Sequence, residues 1–244
     1  MNQAAADAHF SYIGSELELF EKARNWKAYW TSQIRSYVTG DVLEVGSGIG
    51  ANTRLMAGFG YRRWVCLEPD PSLIRKMGSA PSERHQIVTG VVEDLPSGER
   101  FDTILYIDVL EHIEDDGAEM ARAAGRLRAG GALVVLSPAH PFLFTPFDAA
   151  IGHYRRYTRG SLRAVGPPEL ACVKLDYLDA AGMLASAANR FLLRSAMPTA
   201  QQILTWDRLL VPVSRCVDPL LGRRLGKSVL GIWRREGAAA HVER

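Results

Sequence analysis

Three groups of residues in this chain have types and spacings suited to chemistry. In "VLEVGSGIG" (42–50), an apolar run carrying Glu44 leads into Gly46, Ser47, Gly48 and Gly50. Glycines at alternate positions let a strand-to-helix turn bring backbone close to a small ligand and expose helix N-terminal N–H groups. Further on, "CLEPD" supplies Glu68, Pro69 and Asp70, and "VVEDLP" supplies Glu93, Asp94 and Leu95. These offer carboxylates for ribose hydroxyls and an acid plus a backbone N–H for the edge of an adenine. The third group holds the histidines His112, His140 and His153, which titrate near neutral pH and are candidate general bases. His153 opens "GHYRRYT" (152–158), where Tyr154, Arg155, Arg156 and Tyr157 offer a phosphate- or carboxylate-binding fork with aromatic walls.

The elements that must position these groups follow from hydrophobic period and turn residues. Ser15 to Tyr37 has Leu17, Phe20, Ala23, Trp26, Tyr29 or Trp30, and Ile34 at helical spacing, and predicts an N-terminal helix. Strand and helix then alternate five times: "DVLEVGSGIG", "RRWVCLEPD", "HQIVTGVVEDL", "FDTILYIDVLEH" and "ALVVLSP" as strands, with short helices between. Such alternation predicts a Rossmann-like, doubly wound α/β sheet. A helix at "YTRGSLRAV" capped by Thr158, a strand at 169–179, and helices at 180–193 and 203–221 follow. In the last of these, Ile203, Trp206, Leu210, Val213, Val217 and Leu220 form one apolar stripe, bent at Pro212. "KSVLGIWRRE" closes as a seventh strand.

The turn alone is ambiguous, since Gly46, Gly48 and Ala51 also satisfy the looser dinucleotide pattern GxGxxA. Glu68 suits either reading. Glu44, two residues before the first glycine, is unwelcome beside a pyrophosphate but useful beside a ligand carrying an ammonium and a sulfonium. With "CLEPD", "VEDLP", "FDTILYIDVLEHIEDD" and "LRAGGALVVLSP" following in order, residues 41–138 resemble the class I S-adenosylmethionine-dependent methyltransferases.

That resemblance implies a seven-stranded sheet with its last strand antiparallel, and S-adenosyl-L-methionine as cofactor. It implies that Glu44 and the loop Gly46 to Gly50 face the methionine part, and that Glu68 takes the ribose diol. Pro69 and Asp70 would lie beside the adenine, Glu93 and Asp94 near its amino edge, and Leu95 against its ring. Asp108, Val109 and His112 would border the methyl-transfer pocket. "NWKAYWTSQI" and "FDAAIGHYRRYT" look like a type 11/12 subgroup tied to glycan, lipid-linked saccharide or secondary-metabolite pathways. The core would be residues 41–138, with 139–165 an acceptor-side insert and 180–225 a helical cover, all in a single domain.

Methyl transfer is an in-line displacement, in which alignment can supply about 7–11 kcal/mol of the barrier. A hydroxyl acceptor needs a base, and O-methylation of a small-molecule, glycan or lipid-linked acceptor is the expected reaction, with N- or C-methylation as the alternative. His112, His140 and His153 are the candidate bases; Tyr29, Phe144, Tyr154, Arg155, Arg156 and Tyr157 are expected to touch the acceptor. "SPAHPFLFTPFD" carries Asp148 as its single acid, so no metal is expected. The rival functions are a nicotinamide-dependent oxidoreductase and a protein that binds the methyl donor but catalyses another reaction.

Net charge is +2, and it is unevenly spread: residues 1–150 balance to −6 and residues 151–244 to +8. A basic second part suits an anionic acceptor or an anionic membrane surface reached through residues 183–235. Nucleic acid is not expected, for lack of a binding module or a base-methylating motif after the fourth strand. Cys66, Cys172 and Cys216 form no CxxC pair, and no signal-like or membrane-spanning segment stands out. The expectation is a cytoplasmic monomer or homodimer, peripheral at most to the inner face of a membrane.

Overall fold

Alternate residues of the central strands divide cleanly between two apolar clusters. Leu43, Ile104, Tyr106, Leu133 and Val135 pack on one face, and Val42, Leu105, Ile107, Val134 and Leu136 on the other. This period of two, with both faces covered, is what a sheet sandwiched between helices requires. A computed structural model describes residues 21–80, 82–188 and 199–237, and every structural statement below concerns those residues.

The strands are β1 (Gly40–Val45), β2 (Tyr61–Glu68), β3 (His85–Thr89), β4 (Phe101–Ile107), β5 (Leu127–Pro138), β6 (Ala171–Leu178) and β7 (Ser228–Arg234). They form one sheet in the order β3-β2-β1-β4-β5-β7-β6. Strands β1 to β5 are parallel, and β7 runs antiparallel between β5 and β6. The seven-stranded Rossmann-like sheet expected from the sequence is therefore the fold of this chain. The helices are α1 (Arg24–Ile34), α2 (Ala51–Leu55), α3 (Pro71–Met77), α4 (Asp116–Gly125), α5 (Pro146–Ala150), α6 (Arg159–Val165), α7 (Ala180–Ala188), α8 (Ala200–Thr205) and α9 (Val211–Leu220). As expected, Thr158 caps α6, accepting from the Ser161 N–H at 3.0 Å. Among the described residues no helix is long and apolar enough to cross a membrane.

Two helix expectations change. Among the described residues α1 runs Arg24–Ile34 with Ala23 outside it, so the expected helix is not continuous from Ser15 to Tyr37; Ser15, Leu17 and Phe20 lie outside the described residues. In the C-terminal cover, a π-helical turn at Trp206–Leu210 joins α8 to α9. Pro212 explains it: in α geometry its ring would clash with the Arg208 carbonyl, and a wider turn relieves the clash. The extra residue rotates everything after it by about 100°. Val213 and Leu220 therefore point to solvent, and Val211, Ser214 and Asp218 are buried in their place.

Asp218 then anchors the cover to the rest of the chain. Its carboxylate accepts from the Tyr29 hydroxyl at 2.7 Å and from the Asp179 and Ala180 N–H groups at 2.7 and 3.0 Å. Asp207 likewise accepts from the Trp26 N–H at 2.9 Å, fixing the start of α1. Helix α1 and the C-terminal cover thus share buried carboxylates, and the two together roof the C-terminal ends of the strands.

Candidate active site

Under that roof lies a cavity of about 280 Å³ at the C-terminal ends of β1, β4 and β5. An open α/β sheet binds its ligands in this position. One wall is the turn after β1, where Gly46, Gly48 and Gly50 have φ of +64°, +55° and +74°. A Cβ on Gly46 would come within 2.6 Å of the Val109 side chain, so glycine is required there for space as well as conformation. Ser47 is 5% exposed and its hydroxyl has no hydrogen-bond partner, although the residue lines the cavity. A buried orphan hydroxyl is costly unless something fills its bonding site. Trp26, Lys27 and Trp30 of α1 and Asn52 of α2 complete this side.

The opposite wall is titratable. Asp108, just after β4, has φ of +55° and lines the cavity. Strained backbone of this kind persists where surrounding structure enforces it, often at functional sites. Burial among protein atoms pushes the Asp108 carboxyl up to about 6, against the positive fields of His153, Lys227 and Lys27. Glu111 is fully buried: Ser137 donates to its Oε2 at 3.0 Å, and its Oε1 has no hydrogen-bond partner. Burial, then the charge of Asp108, raises Glu111 well above the usual carboxylate range. His112 and His153 meet edge to face with ring centroids 4.5 Å apart. Burial first, then His153, lowers the His112 imidazole to about 4.

A single carboxylate organises the insert after β5. Asp148 accepts from Arg156 Nε and Nη2 at 2.9 and 3.0 Å, and lies 3.0 Å from His153 Nδ1. Thr145 donates to it through backbone and hydroxyl at 2.8 and 2.7 Å. Burial alone would raise this acid, but the His153 and Arg156 hydrogen bonds outweigh it and hold Asp148 well below the usual range. His153 is thereby fixed through Nδ1, with Nε2 turned 3.8 Å from Glu111 Oε1.

A family model described as "methyltransferase domain" matches residues 17–166, more than half of the chain. The chain belongs to this methyltransferase family. Among solved structures it is similar to a methyltransferase in complex with the Haloferax volcanii Trm112 methyltransferase activator. That likeness is at 14% identity and TM-score 0.64, over 91% of this chain and 95% of that one. It is also similar to the N-methyltransferase NodS from Bradyrhizobium japonicum WM9 in complex with S-adenosyl-L-homocysteine, at 16% identity and TM-score 0.55, over 88% and 87%. Among curated proteins, tRNA U34 carboxymethyltransferases of Shewanella are 27% identical over 121 residues, or 45% of this chain. The match spans 36% of the length of that relative. The sequence reading excluded nucleic acid; relatives whose names place them on tRNA remove that exclusion.

Within this methyltransferase domain, the cavity brings together Gly46, Ser47, Gly48, Asp108, His112, His153 and Arg156 from the expected set. Gly50 and Val109 lie against the turn, outside the wall. Other expected residues are placed elsewhere. Glu44, 2% exposed, sits behind the turn and accepts from the Thr53 hydroxyl and Trp64 Nε1 at 2.5 and 2.9 Å. Glu68 accepts from the Gly48 and Asp70 N–H groups at 2.8 and 3.0 Å, so it braces the turn from below. Asp70 caps α3 through the Ser72 N–H at 2.7 Å, and Pro69 just before it is half-buried. Asp94 accepts from the Val91 N–H at 2.9 Å, Glu93 pairs with Arg122 at 3.0 Å, and Leu95 is buried in the core. None of these seven lines the cavity.

The acceptor-side expectations are corrected more sharply. Tyr29 is 2% exposed and bound to Asp218 and Arg223, on the helix face away from the cavity that Trp26, Lys27 and Trp30 border. Tyr157 is buried, its hydroxyl 2.7 Å from Asp116, and Arg155 pairs with Asp116 at 2.7 Å. Tyr154 is 54% exposed beside Arg155. His140, at φ +65°, turns its ring onto Tyr177 at 4.6 Å, and it lies outside the cavity wall, as Phe144 does. Residues that sequence reasoning missed fill these places: Trp26, Lys27, Trp30, Glu111, Asp148, Trp206 and Lys227. Glu111 and Asp148 were visible as acids beside candidate histidines. Trp206 and Lys227 carry no local signal, since only the roof brings them in.

Proposed function

We propose that this chain transfers the methyl group of S-adenosyl-L-methionine to a hydroxyl of a small-molecule or lipid-linked acceptor. The observation that carries the reading is one cavity joining a glycine turn with an orphan buried hydroxyl to a wall of titratable side chains. The turn would suit the methionine end of the donor: Ser47 Oγ lacks a partner, and Lys27, which lines the same cavity, offers a cation for a carboxylate. When bound, S-adenosyl-L-methionine supplies a methyl group made electrophilic by its sulfonium.

The residues of the chain then have separable tasks. Trp26, Trp30, Phe147 and Trp206 enclose the cavity and exclude water. Asp108 accepts the hydroxyl proton; it is open to the cavity, whereas Glu111 and Asp148 are 0% and 1% exposed. The donor bound there would supply the methyl group, and Asp108 would hold the proton that the acceptor hydroxyl gives up. His153, fixed by Asp148 and Arg156, orients the acceptor from the other side. Residues 139–165 supply this acceptor-side wall. A lipid-linked acceptor would be approached past the π-helical turn and α9, where Leu209, Val213 and Leu220 are exposed and Arg208 and Arg215 are exposed on the same segment.

The test uses radiolabelled donor against saccharide, lipid-linked and phenolic hydroxyls, against amines, and against tRNA. Label on a hydroxyl, with Asp108→Asn lowering kcat about 10²–10⁴-fold and leaving donor affinity intact, is the expected result. Label confined to amines overturns O-methylation, and label confined to tRNA overturns the small acceptor. Absence of donor binding by calorimetry overturns the whole reading. Sedimentation with anionic vesicles at low salt checks the lipid route.

A further inference from the structure

We propose that Glu111, His112 and His153 form a divalent transition-metal site on the acceptor side of this cavity. The inference deepens the methyl-transfer reading and rests on it for its chemistry, though not for its geometry. One donor atom from each residue lies within 4.8 Å of the others. Glu111 Oε1 and His153 Nε2 are 3.8 Å apart, too far for a hydrogen bond. Two donors bound tetrahedrally at about 2.0–2.2 Å stand roughly 3.4 Å apart, so a few tenths of an ångström bring this pair onto one ion.

The second, independent observation is Glu111 Oε1 itself. It belongs to a residue with no solvent exposure, it has no hydrogen-bond partner, and it faces the two imidazoles. A carboxylate oxygen left this way is expensive, and an ion between it and the histidines would satisfy it. The surroundings have the organisation that metal ligands require. His153 is tied through Nδ1 to Asp148 at 3.0 Å, the carboxylate–histidine arrangement that fixes ring orientation at metal centres. Asp148 is itself clamped by Arg156. The backbone of Gly152 hydrogen-bonds the His112 ring, and Ser137 holds the second oxygen of Glu111 at 3.0 Å. Two histidines and one glutamate with an open side toward a cavity are a catalytic-type donor set for zinc. There the ion would hold the acceptor oxygen and lower its pKa, with Asp108 placed to receive the proton. The sequence hid the site because its ligands come from two segments some forty residues apart, and neither carries a paired-ligand motif.

The experiment titrates Zn²⁺ alone, and Co²⁺ alone with its visible absorption, into chelator-treated full-length protein. The expected result is one equivalent bound. His112→Asn and His153→Gln should each weaken binding at least about tenfold, and Asp148→Asn about 10–100-fold. His140→Gln should leave it unchanged. Circular dichroism and S-adenosyl-L-homocysteine calorimetry on each variant show that the fold is kept. Should Asp148→Asn unfold the protein, the two histidine variants decide alone. No stoichiometric uptake by the wild type, or uptake indifferent to both histidine variants, overturns the site. Donor binding without metal uptake sinks the metal and leaves the methyltransferase reading, whereas metal uptake without donor binding does the reverse.

Discussion

The turn after β1 and the insert after β5 face each other across one cavity, and they hold their shapes by different means. In the turn, backbone carries the load: three left-handed glycines, an N–H bound to Glu68, and no room beside Val109 for a methyl group. In the insert, one buried carboxylate gathers Arg156, His153 and Thr145. The first device tolerates almost no change in its residues, because it depends on missing side chains. The second depends on which charges are present, and it can be altered one charge at a time. On the methyl-transfer reading proposed above, the first wall would receive the donor and the second the acceptor.

The largest expected effect separates them directly. Arg156→Ala leaves Asp148 buried without its bidentate partner, and breaking a buried pair costs about 3–5 kcal/mol. Denaturant unfolding should show that loss, and a loss below about 1 kcal/mol would mean charge does not hold the insert. Gly46→Ala should be smaller in stability, about 1–3 kcal/mol of backbone strain, but should weaken donor binding by about tenfold or more. Because the new Cβ would meet Val109 at 2.6 Å, adding Val109→Ala should restore part of that affinity. If the double variant recovers nothing, the turn is governed by conformation alone.

Glu44 allows a test by pH. Burial raises its carboxyl to about 7 in the folded chain, against hydrogen bonds from Thr53 and Trp64. The native state therefore keeps a proton that the unfolded state releases above its ordinary carboxylate pKa. Its contribution to stability is complete below that value and is lost as pH rises toward 7. Glu44→Gln should flatten this decline: its melting temperature should exceed that of the wild type at pH 8, and the gap should close by pH 5. The smallest effect is expected for Arg155→Ala. Its pair with Asp116 is a third exposed, so a loss of no more than about 1 kcal/mol is expected by chemical denaturation.

Much of the fold was legible because period-two alternation and glycine punctuation are local signals. Which residues line the cavity was legible where chain order alone places them, at the ends of β1 and β4, and not where placement depends on one residue of helical phase or on partners distant in sequence. Tyr29 and Trp30 compete for one face of α1, and Asp218, almost two hundred residues away, decides which turns inward. Pro212 announced a bend, but not that the bend would add a residue and exchange Val213 for Ser214. Glu44 reads as a ligand contact from the sequence, which does not show that Thr53 and Trp64 both donate to its Oε2. Arg155 and Arg156 are adjacent and chemically alike, and only the positions of Asp116 and Asp148 assign them different work.

The insert also closes on itself. Ala139 bridges Tyr157; the His140 N–H donates to the Tyr157 carbonyl and the Tyr157 N–H to the Pro138 carbonyl, each at 2.9 Å. The stretch between leaves and rejoins the sheet at one point. Beyond this two-bond neck the loop is also tied to the segment after β4: the Tyr154 N–H donates to the Glu111 carbonyl at 2.9 Å, and Arg155 pairs with Asp116 at 2.7 Å. On the methyl-transfer reading proposed above, exchanging residues 140–156 together with their partners after β4 would alter the acceptor side and leave the turn after β1 as it was.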